Sequence, residues 1–263
     1  MSAGLDDQRL TRKERWLMIE NMLEARPVVL ISELASQFSV SVETVRRDID
    51  AMAEAGLLER TYGGAAALKT AREPALNQRA TLLAEERERI ARVAAGMVRD
   101  GQVLMLDACA TCLPLAQRLV VERRKLKVVT NSFALASAMA YNTTFQVIMA
   151  GGFYNSTEGA NYGSETTEFL RRFTADHCFS SCGAVTAEGP TEVDSDVAGV
   201  KRVMLERAHH VTLLADHDKF RRPRLERVAS LSTLDTLITD QEPPPDIVRA
   251  LADAGVRLRI AGA

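Results

Sequence analysis

The sequence predicts an α/β protein in two parts: a small helical domain at the N-terminus and a larger α/β sheet domain after it. Three observations carry this. The chain has 263 residues, more than the 100–200 typical of one domain. Residues 1–66 hold three helical apolar periodicities closed by a strand–turn–strand pattern. From about residue 100 onward, short apolar runs alternate with helical stretches, the signature of an α/β sheet domain. Residues 67–85 between them are polar and rich in Ala, Arg and Glu, so the expected division is 1–66, a linker at 67–85, and 86–263. No internal repeat is visible.

Composition fits a soluble globular protein, with 46% hydrophobic, 26% charged and 5% aromatic residues. No apolar run approaches the roughly 20 residues needed to span a bilayer. Met1–Arg9 contains Asp6 and Asp7 and lacks an apolar core, so no signal peptide is expected there and a cytoplasmic location, without membrane partners, is. The net charge of −2 argues against indiscriminate binding to polyanions while leaving room for a local basic face.

In chain order, Leu10–Ala25 carries Leu10, Trp16, Leu17, Ile19, Met22 and Leu23 among charges, an amphipathic helix that Arg26-Pro27 ends. Val28–Ile31 is β-like. Ser32 is expected to cap a helix over Glu33–Phe38 with Leu34, Ala35 and Phe38 inward, and Ser39-Val40 makes a tight turn. Ser41 is a good N-cap for the next helix, with Glu43 in its first turn to complement the dipole. Val42, Val45, Ile49 and Met52 form its inward stripe; Glu43, Thr44, Arg47 and Asp50 lie opposite, with Arg46 on the flank. Two helices joined in this way form a helix–turn–helix, whose last helix enters a DNA major groove. Arg can pair bidentately with guanine and Thr can touch a base or a phosphate. Ala55-Gly56 closes the helix, and Leu57–Ala65 is a strand, a turn and a returning strand: a wing. Candidate contacts to double-stranded DNA are Ser41, Glu43, Thr44, Arg46, Arg47, Arg60, Tyr62 and Gly63. The plainer reading of the same face is ordinary solvated charge.

Glu86–Val98 is helical and ends at Asp100-Gly101. Strands are expected at Val103–Leu106, Lys127–Val129, Phe145–Met149, Cys178–Ser181, Val211–Ala215, Thr236–Ile238 and Val256–Ile260. Helices are expected at Cys112–Val121, from Ser132 through Tyr141, at Lys201–Ala208 and at Asp246–Ala254. Asp107–Thr111, Thr130–Ser132 and Gly151-Gly152 follow successive strands, and Asp216–Phe220 follows another and brings a lysine. In parallel sheets ligands bind at those ends, and helix starts such as those at Thr111 and Ser132 favour anions. Any one cluster is explained as well by turn chemistry; four on one edge favour a small-molecule pocket.

The four cysteines leave alternatives open. Cys109 and Cys112 are spaced C-x-x-C and Cys178 and Cys182 are four apart, which invites zinc. Four residues along a strand span about 13 Å, too far to chelate one ion. A thiol redox switch is the other alternative, and buried thiols are the default. No metal or cofactor is expected.

The residues L-A-x-x-F-x-V-S-x-x-T-V-R-R-D-I and then G-L-L-x-R-x-Y-G-G-A resemble the N-terminal domain of DeoR-type bacterial transcriptional repressors. The order D-x-x-x-T, T-N-S, G-G, D-x-x-F, D-x-x-K-F resembles the effector domain of the same family, so the likeness spans nearly the whole chain. It implies a winged helix–turn–helix followed by an effector domain related in fold to ribose-phosphate isomerases. It also implies a repressor of a sugar or polyol catabolic operon, released from operator DNA by a phosphorylated sugar or polyol. By it, Asp107, Thr111, Thr130, Asn131, Ser132, Gly151, Gly152, Lys201, Asp216 and Lys219 are effector-pocket candidates. One winged helix covers a short half-site, so a homo-oligomer, dimer or tetramer, is expected. Where the family has D-x-G-T-T, this chain has Asp107-Ala108-Cys109-Ala110-Thr111 and loses a glycine and a hydroxyl. An effector-blind DNA-binding protein is therefore the alternative, and an isomerase-like enzyme, which would need a positioned general base, a remote one.

Overall fold

The computed structural model describes residues 10–26, 28–55, 57–67, 76, 79, 82–220 and 223–262. These fall into two compact units, Met1–Arg72 and Glu73–Ala263. The expectations for Met1–Arg9, Pro27, Gly56 and Pro74 lie outside the described residues, as does most of 67–85.

In the first unit the order is α1 (Arg12–Ala25), β1 (Val28–Leu30), α2 (Ile31–Gln37), α3 (Val42–Glu54), β2 (Leu58–Thr61) and β3 (Gly64–Ala67). Thr11 and Glu14 form a reciprocal capping box at α1, and the Ser41 hydroxyl accepts from Thr44 N–H at α3. The three strands pair antiparallel in the order β1-β3-β2. Gly64 is required in β3, because a Cβ there would stand 2.1 Å from the Val29 carbonyl oxygen. Ile19, Val29, Leu34, Phe38, Val45, Ile49, Met52 and Leu58 close one core.

Two local expectations fail here. Ser32 does not cap α2, which begins one residue earlier at Ile31, directly from β1, with no side-chain cap at Leu30. The apolar Ile31 is itself buried and takes the first helical position. Val42 is not inward: at the first position of α3 it overhangs the core and stays 47% exposed.

The inward stripe instead includes a carboxylate, Asp48, which is 3% exposed. Arg15 Nε donates to its Oδ2 at 2.7 Å and Trp16 Nε1 to its Oδ1 at 3.4 Å, with Arg12 beside it at 3.6 Å. This clamp joins α3 to α1 and fixes which side of α3 faces outward.

In the second unit the helices are α4 (Ala84–Ala95), α5 (Cys112–Glu122), α6 (Phe133–Met139), α7 (Ser164–Arg171), α8 (Ser195–Glu206) and α9 (Pro245–Asp253). The main strands are β4 (Val103–Leu106), β5 (Lys127–Thr130), β6 (Gln146–Met149), β9 (Ala175–Ser180), β12 (Ala208–Leu214), β14 (Thr236–Thr239) and β15 (Arg257–Ile260). They form one parallel sheet in the order β15-β14-β12-β9-β4-β5-β6. Both faces are covered, which is why its strands read as continuous apolar runs. Leu104 and Leu106 of β4 pack into one cluster with α4 and α5, and Met105 packs into another with α7 and α8.

Several short elements escaped the sequence reading. These are the hairpin β7 (Phe153–Asn155) and β8 (Ala160–Tyr162), helix α7, and a small antiparallel sheet of β10 (Ala184–Thr186), β11 (Gly189–Glu192) and β13 (Glu226–Arg227). Strands of two to four residues are too short for a period to register. Helix α8 starts at Ser195, capped by Asp194, rather than at Lys201, and Ala208 belongs to β12 rather than to that helix. Ser195, Asp196 and Gly199 hide its first turns. Helix α4 starts at Ala84, ahead of the expected Glu86, and α6 stops at Met139.

Breaking the α1–α3 clamp strands a partly buried guanidinium. Asp48→Ala is therefore expected to destabilise the first unit by about 3 kcal/mol, with Asp48→Asn milder. Urea unfolding followed by circular dichroism measures it, and an unchanged midpoint would refute the assignment.

Candidate functional sites

On the outer face of α3, Arg47 is 79% exposed at its side chain and Arg46 about half exposed. Both reach Glu43, at 2.9 Å from Arg46 and 3.4 Å from Arg47. Exposed pairs of this kind are worth about 0.3–0.5 kcal/mol on a helix, so Glu43 orients the two arginines without holding them strongly. Thr44 is half-buried, its hydroxyl 2.8 Å from that of Ser41. The wing turn is Tyr62-Gly63: Tyr62 is fully exposed, and Gly63 adopts φ +84°, a conformation that suits glycine. Arg60 does not project freely, because it is paired with Asp50 of α3 and thereby ties the wing to the helix.

In the second unit the C-terminal ends of β4 and β12 and the loop after β9 meet at a pocket. Its walls are Arg79, Arg87, Cys109, Ala110, Thr111, Ser181, Cys182, Glu192, Lys201 and Lys219. It encloses a cavity of about 20 Å³, room for roughly one water. Lys201, on α8, is buried and lies against Asp107, 3.4 Å from Glu192 and 3.0 Å from the Ser181 carbonyl oxygen. Burial opposes its charge, but Asp107 and Glu192 outweigh that and hold the ammonium well above its ordinary range. Asp107 also accepts from the Ser180 hydroxyl at 3.0 Å and the Ser181 amide at 3.4 Å, while its Oδ1 is buried with no hydrogen-bond partner among the described residues. Arg87 on α4 donates to Asp216 at 3.0 Å, and its guanidinium also meets the Arg79 carbonyl oxygen. Arg79 in turn pairs with Glu158.

The structure thus brings together Thr111, Lys201 and Lys219 on the wall, with Asp107 and Asp216 directly behind it. Thr130, Asn131, Ser132, Gly151 and Gly152 are not among the lining residues. Thr130 accepts from the Ser132 amide, Asn131 donates to Asn161 O, and Ser132 caps α6. Gly152 adopts φ +145°, and a Cβ on it would stand 1.9 Å from the Thr166 hydroxyl oxygen. Gly151 O accepts from the Thr166 hydroxyl at 2.8 Å, and Asn131 Oδ1 is buried with no hydrogen-bond partner among the described residues.

The start of α5 is also a poorer anion site than its position suggests. The Cys112 amide is engaged by both the carbonyl and the sulfur of Cys109, each at 3.2 Å, and Pro114 has no N–H. Arg79, Arg87, Ser181, Cys182 and Glu192 were missed from sequence. Arg87 is one of several charges in a charged helix, and Glu192 sits in a strand too short to recognise. All four cysteines are buried, and none is in a disulfide.

Comparison with known proteins follows this division. A family model described as a DeoR-like helix–turn–helix domain matches residues 15–71, and one described as a DeoR C terminal sensor domain matches residues 83–241. The glycerol-3-phosphate regulon repressor of Escherichia coli (strain K12) is 31% identical over 243 residues, covering 92% of this chain and 96% of its own. The HTH-type transcriptional repressor CsqR of the same organism is 30% identical over 250 residues, covering 95% of each. Among solved structures, a ribose 5-phosphate isomerase A from Methanocaldococcus jannaschii matches 53% of this chain and 55% of its own with a TM-score of 0.39 at 14% identity. eIF2B delta from Chaetomium thermophilum matches 92% and 85% with a TM-score of 0.45 at 15% identity.

One titrating group at this edge sets a pH dependence. His217 donates from its backbone N–H and is bonded through Nδ1 to the two oxygens of Asp240, at 2.8 and 2.7 Å. The Asp240 hydrogen bond raises its pKa above the ordinary 6.5. A raised pKa adds stability that is complete below the unfolded-state value and is lost as pH rises through the folded one. The stability of the wild type relative to His217→Gln should therefore be largest below about pH 6.5 and shrink as pH rises past it. Denaturant melts at pH 5.5 and 8.5 test this; a difference that stays constant, or grows with pH, contradicts it.

Proposed function

The chain belongs to the DeoR family of helix–turn–helix transcriptional regulators, and from that we propose that it represses an operon for sugar or polyol catabolism. It binds operator DNA through α3 and the β2–β3 wing, and a phosphorylated sugar or polyol in the strand-end pocket releases it. The observation that carries the DNA-binding half is the outward presentation of Arg46 and Arg47 on a helix locked from behind by Asp48. Giving up their pairs with Glu43 costs a fraction of what a bidentate contact to guanine supplies, about 1–3 kcal/mol. Specificity over a useful length of DNA requires two such helices, so the acting species is a homo-oligomer associated through the second unit.

The effector half rests on four cations in the pocket wall, Arg79, Arg87, Lys201 and Lys219, beside Glu192, with Glu158, Asp216 and Asp107 pairing the first three from behind. Guanidinium and ammonium groups at this density suit a phosphate. The relative named as a glycerol-3-phosphate regulon repressor supports the same ligand class. A cavity of about 20 Å³ does not admit a sugar phosphate, so the effector binds a more open form and shifts the population towards it. A hundredfold loss of operator affinity needs a coupling of about 2.7 kcal/mol. A second reading, a DNA-binding regulator without a sugar-phosphate effector, is favoured by one observation. The Cys109–Thr111 loop lacks the family's glycine, and the amide it would offer at Cys112 is already engaged.

Arg47→Ala should cost about 1–3 kcal/mol of specific operator binding if it reads a base, while Arg46→Ala should weaken specific and random DNA alike. Fluorescence anisotropy against both DNAs measures this. Equal, small losses in both variants, with folding intact, would remove the outer face of α3 from recognition.

For the pocket, Lys219→Ala should leave operator binding intact and abolish release by the active sugar phosphate. A panel of phosphorylated sugars and polyols, scored by thermal shift and by release from DNA, identifies the effector. If none binds, the effector-blind reading replaces this one.

A further inference from the structure

The cysteines at the pocket have a geometry that effector binding does not use. Cys109 lies in the middle of the loop after β4 and lines the cavity beside Arg87, Lys201 and Lys219. Cys112 is the first residue of α5, and its amide donates to the Cys109 sulfur at 3.2 Å, so the sulfur stands at a helix N-terminus. The same amide donates to the Cys109 carbonyl oxygen at 3.2 Å, closing a four-residue turn. Such a turn holds its end Cα atoms within about 7 Å, which overlaps the separations that disulfides bridge. The Cys112 thiol donates to the Phe179 carbonyl oxygen at 3.5 Å, which favours its protonated form.

We propose that Cys109 is a peroxide-reactive thiolate and Cys112 its resolving thiol, making the pocket floor a dithiol–disulfide site. The acidities of the two thiols agree with the geometry. Burial and the negative charge of Asp107 work against ionising Cys109, but the hydrogen bonds from Cys112 and the charge of Lys201 outweigh them and hold this thiol below its ordinary range. Burial, and the bond it gives to Cys109, push Cys112 well above it. Burial likewise raises Cys178, which does not line the cavity. Cys109 lines the cavity of about 20 Å³, so its sulfur is within reach of a solvent-sized molecule.

The oxidant is thus a small hydroperoxide. The Cys109 sulfur attacks one peroxide oxygen; an S–O bond forms and the O–O bond breaks. Cys109 is oxidised to the sulfenic acid, and the departing hydroxide takes a proton and leaves as water. Cys112 then gives up its proton and attacks the Cys109 sulfur, forming the S–S bond as the S–O bond breaks and a second water departs. Two thiols and one hydrogen peroxide yield one disulfide and two waters, and an external dithiol returns the disulfide to two thiols while becoming a disulfide itself. None of this depends on which effector the pocket takes.

The reduced full-length protein, treated with a small excess of hydrogen peroxide and alkylated, is mapped by mass spectrometry of unreduced peptides. One bridge joining Cys109 to Cys112, with loss of two hydrogens, is expected. In Cys112→Ser, dimedone should label Cys109; in Cys109→Ser, no position should be labelled. A bridge involving Cys178 or Cys182, or a Cys109 that stays fully alkylatable in the folded wild type after tenfold excess peroxide, overturns the proposal. The wild-type map decides the matter even if either variant fails to fold.

Discussion

The second unit is organised around one buried cation. Lys201 on α8 lies against Asp107 at the end of β4, within 3.4 Å of Glu192 on β11, and donates to the backbone beyond β9. One ammonium therefore joins the main parallel sheet, the small antiparallel sheet and the helix that crosses between them. Burying three charges brings a desolvation penalty that mutual attraction only partly offsets. The arrangement contributes less to net stability than to position, since removing Lys201 would leave two buried carboxylates uncompensated. The pocket wall inherits that rigidity on one side. Its other side is held by Arg87 on Asp216 and by Arg79 on Glu158.

The first unit solves a similar problem with the opposite charge inside. Asp48 is a carboxylate on the buried stripe of α3, met by Arg15 and Trp16 from α1. Its neighbours Arg46 and Arg47 consequently face outward. The Arg-Arg-Asp run is one device: the aspartate fixes helix rotation and the arginines use it. The Arg60–Asp50 pair then sets the wing against the same helix.

The loop after β4 departs from the family pattern where the chain would meet a phosphate, and what stands there has chemistry of its own. Replacing a glycine and a hydroxyl residue by Cys109 and Ala110 places a sulfur against the first amide of α5. The Cys112 amide that holds the sulfur is withdrawn from any ligand at this helix end.

Much of the architecture was legible in the sequence because periodicity and caps are local. Ser41, the inward Val45, Ile49 and Met52, the Tyr62-Gly63 turn and seven apolar strands each announce themselves within a few residues. The strand-end clusters were visible too, but whether each turn serves a ligand or only itself was not. Thr130, Asn131, Ser132 and Gly152 look no different in sequence from Thr111, yet Thr111 lines the pocket and they do not. Only the tertiary structure put Arg87 on Asp216, Glu192 on Lys201 and Asp48 on Arg15, partners 129, 9 and 33 residues apart. A charged residue in a charged stretch carries no mark of burial, because burial is decided by what folds over it. The sequence determined the elements and their order; the pairing of buried charges across them, which no local pattern encodes, decided the sites.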